Sequence, residues 1–200
     1  MKSLRSLKFQ PYVSVVLVAL NVLVFLVCNF TGNLLYDKGM LNVFGVLVNG
    51  EYGRILWAMF LHNGMSHIFN NMLILFFLGS MIEKETGHVR YGVLYFLAGI
   101  GGNLFSLFVK VVNDDISSSL GASGAVFGLD GVLLAMVLFS GRNLENVTPA
   151  RVLLMILYTL YSGFTGHNID NAAHIGGLVT GFAAASVMCF WQRWRRGKLY

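Results

Sequence analysis

Charge is scarce in this sequence. Asp, Glu, Lys and Arg make up 12% of its 200 residues, about half the ~25% share of an ordinary soluble domain. Beside 56% hydrophobic residues and a mean hydropathy of +0.68, that scarcity excludes a disordered chain and argues against a soluble one. Cysteine is scarce too. Cys28 and Cys189 lie far apart in apolar runs, with neither a disulfide pattern nor metal-ligand spacing. No internal repeat, low-complexity tract or linker divides the chain, so it reads as one domain over 1–200. The net charge of +5 sits mostly between apolar runs and at the termini. It therefore reads as membrane topology and contact with anionic lipid, not as nucleic-acid binding.

What the sequence does hold is six apolar stretches, at roughly 12–30, 65–82, 91–109, 122–140, 150–166 and 172–191. Each approaches the ~20 residues a helix needs to cross the hydrocarbon core. The runs are continuous rather than alternating, so they are expected as helices, which satisfy their own backbone groups in lipid. The first run is expected as a retained helix rather than a cleaved leader, because it is long and lacks a small-x-small cleavage site. Thr148 and Pro149 fit the N-cap and first position of the fifth run, which is short and ends in polar residues. With six spans, Lys and Arg divide 11 to 3, the 3 being Lys38, Arg54 and Lys110. The majority side holds both termini, 1–11 and 192–200, and is expected to be cytoplasmic, in the plasma membrane. The connection at about 31–64 is far longer than the others and carries Leu41, Val43, Phe44, Val46 and Leu47. It is expected to lie partly in the interface and to be functional.

Polar residues inside membrane spans are functional candidates. Three groups stand out: His62-x4-His67-x3-Asn71, Gly121-Ala122-Ser123-Gly124, and Asn171-Ala172-Ala173-His174. The second, fourth and sixth runs all start at the outer face. His67, Asn71, Ser123 and His174 therefore share one layer just below it, at ~1.5 Å rise per residue. His174, Gly177 and Gly181 lie on one helix face, and Gly124, Gly128 and Gly131 form a similar stripe. Glycines at these spacings let helices approach closely, which would bring Ser123 near His174. A serine hydroxyl needs a base to become a nucleophile, and histidine is the usual one. The free N–H groups at the start of Ser123's helix can stabilise an oxyanion. His67 and Asn71, at i and i+4, are suitable side-chain donors. The glycines flanking Ser123, Gly121 among them, permit close approach of a substrate.

These motifs resemble those of the rhomboid family of intramembrane serine proteases. Gly-Ala-Ser-Gly at 121–124 is similar to the family's G-x-S-G, 173–181 to its A-H-x-x-G-x-x-x-G, and 62–71 to its H-x4-H-x3-N. The resemblance runs from about Tyr52 to Gly181 in motifs. It implies an all-α membrane protein of six transmembrane helices around a water-filled cavity, with the long loop between the first two set sideways in the interface. It implies a dyad of Ser123 as nucleophile and His174 as base, with oxyanion support from His67, Asn71 and the Ser123 N–H. His62, Gly121, Phe127, Asn171, Gly177 and Gly181 are expected in supporting roles. Phe127 sits where an aromatic ring stacks on the catalytic histidine. The implied substrates are transmembrane helices, cut near the outer face at small residues. No cofactor, metal or nucleotide is expected.

Two departures stand beside the resemblance. Gly53 replaces a usual Trp before Arg54, which puts loop anchoring in question. Asp130, seven residues after Ser123, is expected to be protonated or paired, as a structural or hydration site. Asp170, four residues before His174, invites a triad, yet an outer-loop carboxylate is usually solvated. His62 reads as a structural hydrogen-bonder. An aspartyl protease would need facing carboxylates, and Asp37 with Asp130 is a poor pair. No His-Glu-x-x-His zinc motif exists, though His62, His67 and His174 could form an accidental metal site. A client-binding protein without activity and a transporter remain as alternatives; the latter would show inverted repeats.

Overall fold

The computed structural model describes residues 9–32, 34–140, 148–150, 152–154, 156–157, 161 and 169–197. Their architecture is helical. The elements are α1 (Tyr12–Thr31), the short helices α2 (Leu34–Gly39) and α3 (Arg54–Trp57), α4 (Met65–Thr86), α5 (His88–Val112), α6 (Ser123–Phe139) and α7 (Asn171–Gly197). Among the described residues, α1, α4, α5 and the Asn171–Arg195 portion of α7 are long and apolar enough to cross a membrane. These four and α6 correspond to five of the six apolar runs. The remaining run, 150–166, lies mostly outside the described residues; Pro149 is helical there, and Val152 N–H donates to the Thr148 carbonyl.

The helices differ in what they face. α6 has 17 residues and, Ser123 and Asp130 apart, is apolar around its whole circumference, the pattern of a helix enclosed on all sides. From Gly124 to Leu133 every residue is buried, because α4, α5 and α7 surround it, with α7 packed most extensively. α1 lies at the edge and exposes Val15, Val16, Leu20 and Leu23. α5 exposes Val93, Leu97 and Phe108, and α7 exposes Val179, Val187 and Phe190. So much apolar exterior suits lipid as the surrounding solvent, and the chain is an integral membrane protein. Gly87 joins α4 to α5 as a single residue with φ +84°, a backbone conformation that favours glycine.

The described residues between α1 and α4 are folded. Besides α2 and α3 it contains a π-helical turn at Phe44–Val48 and a 3-10 turn at Ala58–Phe60. Leu41, Val46 and Ala58 form a small apolar core with Leu107 of α5. Arg54 is buried and gathers the segment around its guanidinium. Nη1 donates to the carbonyls of Asp37 (2.8 Å) and Met40 (2.9 Å), and Nε pairs with Glu51. This anchor stands although Gly53 replaces the usual Trp. Asn103 of α5 adds a 2.7 Å hydrogen bond to the Ile55 carbonyl.

Candidate functional site

The approach of α6 and α7 sets the site. A Cβ built on Gly177 would fall 2.0 Å from the Gly124 carbonyl oxygen, and one on Gly181 would fall 2.1 Å from that of Gly128. Only hydrogen fits at these crossings. The backbones meet as closely as small-residue stripes allow, and the first residue of α6 faces the first turn of α7. There Ser123 Oγ lies 2.8 Å from His174 Nε2. The Phe127 ring, one turn along α6, stacks on the imidazole at 4.0 Å with planes 10° apart. This stack holds the ring plane, and the 2.8 Å contact with Ser123 Oγ sets Nε2 toward the hydroxyl.

The turn before Ser123 is held from the α1–α4 segment. Leu41 and Ser119 exchange backbone hydrogen bonds of 2.9 and 2.8 Å, and Gly121 N–H donates to the Ala58 carbonyl at 2.8 Å. Gly121 has φ +127°. A Cβ there would lie 2.9 Å from His67 Nε2 and 3.7 Å from Ser123 Oγ. The absent side chain therefore leaves a space bounded by the serine hydroxyl on one side and the His67 ring on the other. The first N–H groups of α6 have no partner within the helix, and they lie at the same helix start.

α4 supplies the facing wall. His67 and Asn71 stand one turn apart, and Asn71 Nδ2 donates to the His67 carbonyl at 3.1 Å. His67 Nδ1 meets Asn63 Oδ1 at 2.9 Å. With the hydrogen on Nδ1, Nε2 is an acceptor; rotation of the Asn63 amide lets Nε2 carry the hydrogen and donate instead. His62 is wholly buried behind them. Its ring meets His67 edge-on at 4.9 Å, and its carbonyl accepts the Tyr36 hydroxyl at 2.6 Å. Burial holds the His62 imidazole well below its usual value, at about 4, with the neighbouring His67 adding to the effect. His62 is neutral at ordinary pH, and its Nε2 faces the Ala122 N–H at 3.5 Å. The same burial, of the hydroxyl beside Cys28, raises the Tyr36 phenol.

The carboxylates occupy other places. Asp130 is buried two turns below Ser123 on α6. Asp170 is not a solvated loop residue. It is half-buried, its Oδ1 accepts Ala173 N–H at 2.9 Å, and its Oδ2 accepts the Ser106 hydroxyl. It caps α7 without a hydrogen bond to the imidazole: among the described residues His174 Nδ1 has no hydrogen-bond partner. Asn171 opens α7 and Gly177 lies one turn beyond His174. Among the described residues no group of three His, Cys, Asp or Glu side chains is placed to hold a metal ion. Sequence reasoning missed Asn63, and also Tyr36, Ser106 and Ala58, whose contacts link distant segments. Only Asn63 carried a local signal, at four residues before His67.

The sequence has known relatives. A family model described as the rhomboid domain matches residues 49–191. The chain is 32% identical over 184 residues to rhomboid protease GluP of Bacillus subtilis, covering 90% of this chain and 35% of that protein. It is 40% identical over 151 residues to RHOMBOID-like protein 1 of Arabidopsis thaliana, covering 74% and 37%. It is 32% identical over 150 residues to putative rhomboid protease YdcA of Bacillus subtilis, covering 75% and 73%. The chain spans about a third to a half of the length of GluP and the Arabidopsis relatives.

Proposed function

The chain belongs to the rhomboid family, and from that premise we propose that it is an intramembrane serine endopeptidase hydrolysing peptide bonds in transmembrane segments of membrane proteins. One observation carries the reading: the 2.8 Å contact of Ser123 Oγ with His174 Nε2, under the Phe127 ring, at the adjoining ends of two closely packed helices.

The chemistry follows from that contact. His174 Nε2 takes the Ser123 proton as Oγ attacks the scissile carbonyl carbon. The resulting oxyanion occupies the space at Gly121, where the Ser123 N–H, His67 and the Asn71 amide are the donors; losing one such donor costs on the order of 10²–10³ in rate. His174 then gives the proton to the leaving amine. Water, deprotonated by the same imidazole, frees the acyl group and restores the hydroxyl. His62, Asn171, Gly177 and Gly181 hold these groups in place. No step calls on a metal or cofactor.

The membrane setting is part of the proposal. Six spans, with the 150–166 run as the fifth, place both termini on the side rich in Lys and Arg. That side is cytoplasmic in a plasma membrane, and the segment between α1 and α4 lies in the opposite interface. The substrates are transmembrane helices that enter sideways from lipid.

The test is cleavage of a model transmembrane substrate by purified protein in liposomes. Wild type, Ser123→Ala and His174→Ala run in parallel, with a chelator control and a fluorophosphonate probe. Cleavage and labelling by wild type alone, indifferent to chelator, is the expected result. Well-folded wild type that neither cleaves several substrates nor labels would move the reading to a client-binding protein.

A further inference from the structure

Resting on the protease reading above, we propose that Asp170 is a positioning residue that fixes the height and rotation of His174 against Ser123, acting through its hydrogen bonds rather than its charge. Three contacts converge on it. Its Oδ1 accepts Ala173 N–H at 2.9 Å, and its backbone carbonyl accepts His174 N–H at 3.2 Å. Its Oδ2 accepts the hydroxyl of Ser106, which is fully buried on α5. Asp170 thus caps the turn that carries His174 and ties that turn to a neighbouring helix.

The tie matters because of how α7 is otherwise held. Its glycines lie against α6 and α5: Gly177 on the Gly124 carbonyl and Gly181 on that of Gly128, Gly176 beside the Phe105 side chain and Gly102. These contacts, with Thr180 against Gly101, are steric and lie about two to three turns beyond Asp170. Asp170 and Ser106 supply a directional lock at the end where position counts. A misplacement of about 1 Å at a reacting pair lowers rates by about a hundredfold.

Charge is a separable alternative. A triad would need a carboxylate on His174 Nδ1, whereas that nitrogen has no hydrogen-bond partner among the described residues and the Asp170 oxygens bond Ala173 and Ser106. Asn keeps the lock: its Oδ1 caps Ala173 N–H as well as Asp does, and its amide donates to the Ser106 oxygen. The proposal therefore distinguishes Asp170→Asn from Asp170→Ala.

The experiment measures kcat, KM and the pH profile of transmembrane-substrate cleavage in liposomes. Rates are normalised to Ser123 labelled by a fluorophosphonate, for wild type, Asp170→Ala, Asp170→Asn and Ser106→Ala. Asp170→Ala is expected to lower kcat tenfold to a hundredfold with KM within about threefold. Asp170→Asn is expected within about threefold of wild type with an unmoved pH profile. Ser106→Ala, which keeps the cap and loses the tie, falls between and serves if Asp170→Ala does not fold. The assignment is overturned if Asp170→Asn falls as far as Asp170→Ala or shifts the pH profile, which would assign the effect to charge. It is also overturned if Asp170→Ala and Ser106→Ala keep the wild-type kcat. Folded wild type that neither labels nor cleaves overturns the protease reading, and this assignment with it.

Discussion

Gly121 shows how much one hydrogen atom can decide. Its φ of +127° strains any L side chain, and a Cβ would enter the space between His67 and the serine hydroxyl. Gly121→Ala is therefore expected to cut cleavage by at least about a hundredfold, the scale of a lost oxyanion donor. Melting should change far less than activity; a variant that cleaves at the wild-type rate would show that this space is not used. His62 makes a different prediction, in stability. Its imidazole titrates at about 4 in the folded chain and near 6.5 when unfolded. Between those values the unfolded chain binds the extra proton, so stability rises with pH. The His62 contribution is complete above about 6.5 and declines as pH falls toward 4, by on the order of 2–3 kcal/mol. Melting of wild type and His62→Gln between pH 4 and 7.5 should show a steeper acid loss in wild type. Parallel curves would assign the loss to other groups.

At the scale of elements, the α6–α7 pair joins fold and chemistry. Gly177 touches no substrate in the proposed mechanism, yet a side chain there would strike the Gly124 carbonyl. Gly177→Val is expected to push the helices apart, with an overpacking cost of about 1–3 kcal/mol and loss of Ser123 labelling. Ser123→Ala should lose labelling and keep the wild-type melting temperature, so the two variants separate by calorimetry. This pair was legible in the sequence, because glycine spacing and the motif residues share one helical period. The Phe127 stack was legible only through the family resemblance. Asp170 was not, because Ser106 lies 64 residues away in an apolar run and nothing local marks it as a partner. The α1–α4 segment was legible in part. Leu41 and Val46 announced an apolar surface, but spacing alone could not tell that they close on Leu107 with Arg54 bonded inside.

For the whole molecule, chemistry and assembly sit at opposite ends of α4. His67 and Asn71 open the helix; Glu83 lies four turns on, about 24 Å from His67 at 1.5 Å per residue. Glu83 is fully buried and accepts four hydrogen bonds: Val13 N–H at 2.9 Å, Ser14 N–H at 2.8 Å, the Ser14 hydroxyl at 2.6 Å, and His88 Nδ1. One carboxylate thus caps α1 and joins it to the α4–α5 connection. Nothing local in the sequence marks Glu83 as a buried cap, since its α1 partners lie 69 and 70 residues away. Removing it leaves backbone donors of α1 unmatched in buried surroundings. Glu83→Ala is expected to lower stability by about 2–4 kcal/mol, from the lost cap and charge-assisted bonds. The distance from Ser123 predicts that kcat per labelled serine stays within about threefold. Melting followed by cleavage in liposomes, with active serines counted by probe, separates the two effects. If Glu83→Ala melted like wild type but turned over slowly, the two ends would be coupled, and α4 would act as a lever rather than a strut.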